Sequence, residues 1–127
     1  MARIGLVAHD DKKDDMSAWA ERHRQQLSQH QLWGTGTTGS RVMAATGLEV
    51  TLLKSGPLGG DQQLGAMICE GRLDVLIFFI DPMSAQPHDV DIKALTRLAT
   101  LYDVPLANNR ATADAVLAHL GGRTESQ

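Results

Sequence analysis

The run Val75-Leu76-Ile77-Phe78-Phe79-Ile80 constrains this chain more than any other feature. A strand with one wet face alternates polar and apolar residues, whereas one that is apolar at every position has to be covered on both faces, as a central strand of a parallel sheet is. Residues 73–80 therefore read as the strand around which the rest is arranged. Parallel neighbours are joined by crossovers of a dozen or more residues, so helices should alternate with strands on either side. The sequence follows that rule. Residues 3–8 read as a buried strand, and residues 14–29 as a helix with Met16, Trp19, Ala20, His23 and Leu27 at three- and four-residue steps. A short strand over 31–34, a helix over 40–46 stopped by Gly47, and a strand over 48–54 follow. Asp61 stands where an N-cap would for a helix over 62–70, with Leu64, Met67 and Ile68 inward and Gly71 ending it. Asp89 caps a helix reaching Tyr102, with Ile92, Leu95, Leu98, Ala99 and Tyr102 on its core side. A last strand over 104–107 and a closing helix over 112–120 complete the pattern. The expected fold is α/β: one doubly wound, five-stranded parallel sheet with helices on both faces and right-handed crossovers.

The 127 residues suffice for one domain that buries about two-thirds of its unfolded surface. Residues 1–120 are taken as that domain and 121–127 as a flexible tail. With 12 basic and 15 acidic residues the net charge is only -3, which gives neither a nucleic-acid footprint nor a basic membrane patch. The opening residues 1–8 are too short an apolar run for a signal peptide, and no run of about 18 apolar residues suggests a membrane span. The single cysteine, Cys69, forms no internal disulfide and has no metal-ligand spacing around it. A cytoplasmic protein is expected.

Chemistry-bearing residues gather in the turns after the strands, which share one rim in such a sheet. Gly34-Thr35-Gly36-Thr37-Thr38-Gly39 satisfies the dinucleotide spacing G-x-G-x-x-G, but it follows the second strand rather than the first, and the next strand ends in Lys54 rather than in an acid for a ribose. A phosphate nest suits it better: backbone N–H groups, threonine hydroxyls and a helix N-terminus converge on one anion. An ordinary tight turn remains the bland alternative. Lys13, four residues after His9, can reach the same anion, although Asp10, Asp11, Lys12, Asp14 and Asp15 read equally well as a solvated face. Ser55-Gly56-Pro57-Leu58-Gly59-Gly60-Asp61 makes a rigid loop leading to a carboxylate, which is either an N-cap or a catalytic group. Asp81, His88, Asp89 and Asp91 cluster after the fourth strand, with Asp89 read as structural. There is no zinc spacing, no G-x-S-x-G turn and no Walker lysine. What remains suits proton abstraction beside a phosphate ester, with no metal or redox cofactor.

In this order, Leu6-Val7-Ala8-His9-Asp10 with Lys13, Thr35-Gly36-Thr37-Thr38-Gly39, Ser55-Gly56-Pro57-Leu58-Gly59-Gly60-Asp61-Gln62-Gln63, Phe78-Phe79-Ile80-Asp81-Pro82, Pro87-His88-Asp89 with Asp91, and Ala111-Thr112-Ala113-Asp114 closely resemble the methylglyoxal synthase family. The match runs from residue 3 to about residue 118. The resemblance implies the methylglyoxal synthase-like version of this sheet, layered as in flavodoxin. It implies a lyase that converts dihydroxyacetone phosphate into methylglyoxal and inorganic phosphate through an enediolate. Asp61 would be the base and His88 would bond the substrate's carbonyl and hydroxyl oxygens. Lys13, Thr35, Gly36, Thr37, Thr38, Ser55 and Gly56 would hold the phosphate, and His9 would contact the substrate. Asp81 and Asp91 enter as further acids that orient Asp61 or His88. A homohexamer that responds to inorganic phosphate is implied as well. Some members carry a longer tail that supplies a phosphate-contacting arginine to a neighbouring subunit; Gly121-Gly122-Arg123 does not match that segment. The competing expectation is a regulatory ligand-binding module of the same fold, like the allosteric domain of carbamoyl phosphate synthetase, which needs the phosphate turns but no acid or base.

Overall fold

In the computed structural model, which describes residues 1–84, 86 and 89–125, five parallel strands lie in the order β3-β2-β1-β4-β5. These are β1 (Arg3–Ala8), β2 (Gln31–Thr35), β3 (Thr51–Leu53), β4 (Val75–Phe79) and β5 (Leu106–Ala107). The helices are α1 (Lys13–Arg22), α2 (Arg24–Leu27), α3 (Gly36–Thr46), α4 (Gly60–Cys69), α5 (Asp89–Leu101) and α6 (Arg110–Glu125). The chain winds outward from β1 through β2 to β3, then returns to place β4 on the other side of β1. The point where the winding reverses therefore lies between β1 and β4, paired from Ile4 with Val75 to Ala8 with Phe79. Open α/β sheets bind ligands beyond the strand ends at such a point.

The apolar run behaves as its composition requires. All five residues of β4 are buried, and alternate side chains enter two different cores. Val75, Ile77 and Phe79 join Met16, Trp19 and Val42 from α1 and α3 and Leu117 from α6. Leu76 and Phe78 join Leu64 and Ile68 from α4 and Leu95 and Ala99 from α5. The sheet is thus covered on both faces.

Several boundaries depart from the sequence pattern. The helix expected over 14–29 breaks at His23, which leaves helical geometry (φ −107°, ψ 22°) with its ring between Gln26 Oε1 and Asp114 Oδ1 at 2.9 and 3.0 Å. Apolar periodicity continues through the break because Leu27 remains fully buried. Tyr102 lies past the end of α5 and is half exposed rather than on its core side. The closing helix runs beyond the expected 112–120, from Arg110 to Glu125. The strand expected over 48–54 is paired only from Thr51 to Leu53, which register with Trp33 to Thr35 of β2.

Candidate active site

Beyond the ends of β1 and β4 lies a cavity of about 300 Å³. Its wall includes His9 and Lys13 from the first turn, Thr35, Thr37 and Thr38 from the second, and Ser55, Gly56 and Pro57 from the third. Residues from three separate turns converge because β1 and β2 are adjacent and the loop after β3 folds back over the start of α3.

The glycine and threonine segment is the first turn of α3 rather than a loop before it. Thr35 is the extended N-cap residue and Gly36 opens the helix, so the free N–H groups of the first turn stand at the cavity. Gly36 has φ +36°, and a Cβ there would lie 2.8 Å from both Cα and Cβ of Ser55. The two loops therefore touch through a position only glycine can fill. A Cβ on Gly34 would lie 2.6 Å from Gly39 Cα, so the outer glycines of the G-x-G-x-x-G spacing serve strand-to-helix packing. That accounts for the spacing without a dinucleotide.

His9 is 6% exposed. Its N–H extends the sheet to Phe79 O at 3.1 Å, and its ring stands edge-on to Phe78 with centroids 5.2 Å apart. Nδ1 accepts the backbone N–H of Asp81 at 2.8 Å. A neutral ring must then carry its proton on Nε2, the tautomer assignment following from the hydrogen bond. Lys13 Nζ sits 2.8 Å from Asp10 Oδ1, and that aspartate side chain is 93% exposed. The lysine side chain is 18% exposed, so the pair is open to water mainly at its carboxylate, and an anion in the cavity can compete for the ammonium.

The expected acids are placed differently. Asp61 is not the N-cap of α4: Gly59, at φ +111°, holds that position, and Asp61 is the second helical residue. A Cβ on Gly60 would collide with Lys54 O, so the first position of α4, between the cap and Asp61, accepts only glycine. Asp61 is 2% exposed with both carboxylate oxygens withdrawn from solvent, and it does not line the cavity. It is tied to the cavity wall through its neighbour, because Gly60 N–H bonds Ser55 O at 2.9 Å. Asp81 is buried, also off the cavity wall, and its Oδ1 accepts the Met83 N–H at 3.0 Å. That backbone bond, with the Ser84 hydroxyl next, holds its carboxyl below the ordinary carboxylate value against the opposing effect of burial. Asp91 lies half-buried in the first turn of α5. Asp89, at the start of α5, pairs with Lys93 at 3.3 Å. His88 lies outside the described residues.

Asp10, Gln86, Phe78, Val7 and Ala8 also line the cavity. Asp10 stood in the sequence within a run of charges and within a segment that carries the family resemblance, with no role of its own. Gln86 carried no signal, because a glutamine in a polar loop is ordinary until the loop's path is known. The apolar members were legible only as core. Among the described residues, no three His, Cys, Asp or Glu side chains are grouped to hold a metal ion, and no helix is long and apolar enough to cross a membrane.

Comparison with known proteins bears on the family and the fold. A family model described as an MGS-like domain matches residues 15–108. A methylglyoxal synthase of Agrobacterium fabrum is 62% identical over 115 residues, 90% of this chain and 91% of that protein. One from Brucella anthropi is 59% identical over 119 residues, 93% of this chain and 95% of the relative. The crystal structure of methylglyoxal synthase from Elizabethkingia anophelis superposes with a TM-score of 0.86 at 52% identity, covering 91% of this chain and 76% of that one.

Proposed function

The chain belongs to the family of MGS-like domains, and from that premise we propose that it is a methylglyoxal synthase, converting dihydroxyacetone phosphate into methylglyoxal and inorganic phosphate. The observation that carries the reading is the convergence of Lys13, His9, the start of α3 and the Ser55-Gly56 turn on one cavity at the point where the sheet's winding reverses.

In the proposed reaction the phosphate is held by Lys13, by the hydroxyls and N–H groups of Thr35, Gly36, Thr37 and Thr38, and by Ser55 and Gly56. This grip suits a dianion: a helix N-terminus and an ammonium supply positive charge, and the hydroxyls supply directed donors. Asp61 takes a proton from the hydroxymethyl carbon, leaving an enediolate whose oxygens His9 and His88 stabilise by hydrogen bonds. The electron pair of the enediolate then expels phosphate as the carbon–oxygen ester bond breaks, and the resulting enol becomes methylglyoxal. Expulsion requires that bond to stand perpendicular to the enediolate plane, so the turns that fix the phosphate also select elimination over isomerisation. Energy from the phosphate grip positions the reacting carbon against the base. Asp61 is buried and does not line the cavity, so the scheme requires its carboxylate and the substrate carbon to be brought together on binding. Asp91 is a helper acid in this scheme.

A cytoplasmic homohexamer inhibited by inorganic phosphate belongs to the same proposal. Leu58, Met83, Val90 and Leu101 are large apolar side chains exposed on the single chain, which suits subunit contacts.

The test is to incubate the purified protein with dihydroxyacetone phosphate, trap methylglyoxal and count released phosphate. Asp61→Asn should lower turnover by at least about 100-fold, the scale of a lost proton-transfer group, with phosphate affinity little changed. Near-normal turnover in that variant removes Asp61 from the base role. A parent protein that binds phosphate yet forms no methylglyoxal is the regulatory module instead.

A further inference from the structure

We infer that Asp81 serves the reaction through His9: its carboxylate folds residues 81–83 into a turn that aims its own backbone N–H at His9 Nδ1, keeping on the ring the tautomer that offers Nε2–H to substrate. The inference rests on the proposed lyase reading and assigns Asp81 a positioning role rather than one in proton transfer.

Two bonds in series carry it. Met83 N–H donates to Asp81 Oδ1 at 3.0 Å, the side-chain-to-backbone pattern of an Asx turn, which sets the conformation of residue 81. The N–H of that same residue donates to His9 Nδ1 at 2.8 Å, across 72 residues of sequence. His9 is held from its other sides by its own N–H on Phe79 O and by the Phe78 ring edge, so the ring's position is determined by β1 and β4 and its tautomer by Asp81. An imidazole that accepts at Nδ1 must donate at Nε2. Loss of the N–H donor would let the proton move to Nδ1 and turn Nε2, a buried atom of a ring that belongs to the cavity wall, into an acceptor, whereas an enediolate oxygen bound there needs a donor.

The surroundings of the Asp81 carboxylate argue against proton transfer. It does not line the cavity, and its bonds to Met83 N–H and to the Ser84 hydroxyl favour the ionised form, whereas an efficient acid or base titrates near the working pH.

The experiment compares Asp81→Asn with Asp81→Ala. Asparagine keeps an oxygen for the Met83 N–H and discards the charge; alanine discards both. The tautomer of His9 is read by ¹⁵N NMR of histidine-labelled protein, with His9→Gln assigning the resonance, under conditions where the ring is neutral. In the parent and in Asp81→Asn, Nδ1 should be the unprotonated nitrogen, and turnover of Asp81→Asn should stay within about tenfold of the parent, short of the roughly 100- to 10,000-fold cost of a lost proton-transfer group. Asp81→Ala should show mixed tautomers and lose roughly 10- to 100-fold in kcat, the usual scale for removing a group that orients another. A single unchanged tautomer in Asp81→Ala overturns the inference. So does a loss of more than about tenfold in Asp81→Asn while His9 keeps its tautomer. If the parent makes no methylglyoxal, the lyase reading fails while the tautomer measurement still decides whether Asp81 governs His9.

Discussion

Gly36→Ala probes the contact on which the proposed phosphate grip depends. At φ +36° an L-residue loses about 1–2 kcal/mol by backbone crowding alone. The new methyl group would also lie 2.8 Å from Ser55 Cα and Cβ and 3.1 Å from Ser55 N, atoms that move only if the loop moves. Overpacking of that kind costs about 1–3 kcal/mol. The sum is about 2–5 kcal/mol, which in a chain of this size lowers Tm by roughly 10 °C or more. Relief comes from Ser55 retreating from α3, which widens the anion site. Losing one hydrogen bond to a charged group costs about 1.5–3 kcal/mol, so phosphate affinity should fall roughly 10- to 100-fold. Gly47→Ala supplies the control. Its φ is +73° and a Cβ there meets nothing within 4 Å, so it should pay the backbone term of about 1–2 kcal/mol only and leave phosphate binding unchanged. Thermal unfolding and isothermal titration with phosphate on both variants separate the two terms. If Gly36→Ala binds phosphate as tightly as Gly47→Ala and unfolds at the same temperature, the argument from the Gly36 and Ser55 contact is wrong.

Lys13→Ala and Thr37→Ala should each weaken phosphate inhibition by roughly tenfold, the worth of one charge-assisted contact, and inhibition constants equal to the parent's in both would remove these residues from the grip. A different prediction concerns His30, whose Nδ1 accepts the Ala2 N–H at 2.9 Å. Burial, and then the charge of the N-terminus, lower its pKa below the ordinary value of 6.5, so the folded state prefers the neutral ring. The stability this contributes is fully present above about pH 6.5 and is lost as pH falls through the lower folded value. Urea denaturation should therefore show a smaller loss of stability below pH 6.5 in His30→Gln than in the parent; identical pH dependence in the two proteins would show that His30 does not govern it.

Local patterns carried far in this protein. The apolar run of β4 announced a strand covered on both faces, and its alternate residues do enter two cores. The turns were legible as neighbours on one rim because glycine, threonine and serine gather at the ends of successive strands, and the structure does bring Thr35, Thr37, Thr38, Ser55 and Gly56 to one cavity. Helix limits were less legible: apolar periodicity passes straight through His23, where side-chain bonds to Gln26 and Asp114 accompany the break. Asp61 was legible as a carboxylate at a helix start, yet its position depended on where the preceding glycines allowed the helix to begin.

The amino-acid order by itself determined the alternation of strands and helices, the parallel sheet and the set of donors available at its rim, because periodicity and turn chemistry act over a few residues. Only the tertiary structure decided that Gly36 touches Ser55, that Asp61 is buried behind the wall of the cavity, and that Asp81 bonds His9. Those relations join separate strands, and their distances follow from the strand order and the packing of side chains between the layers, which no short stretch of sequence contains.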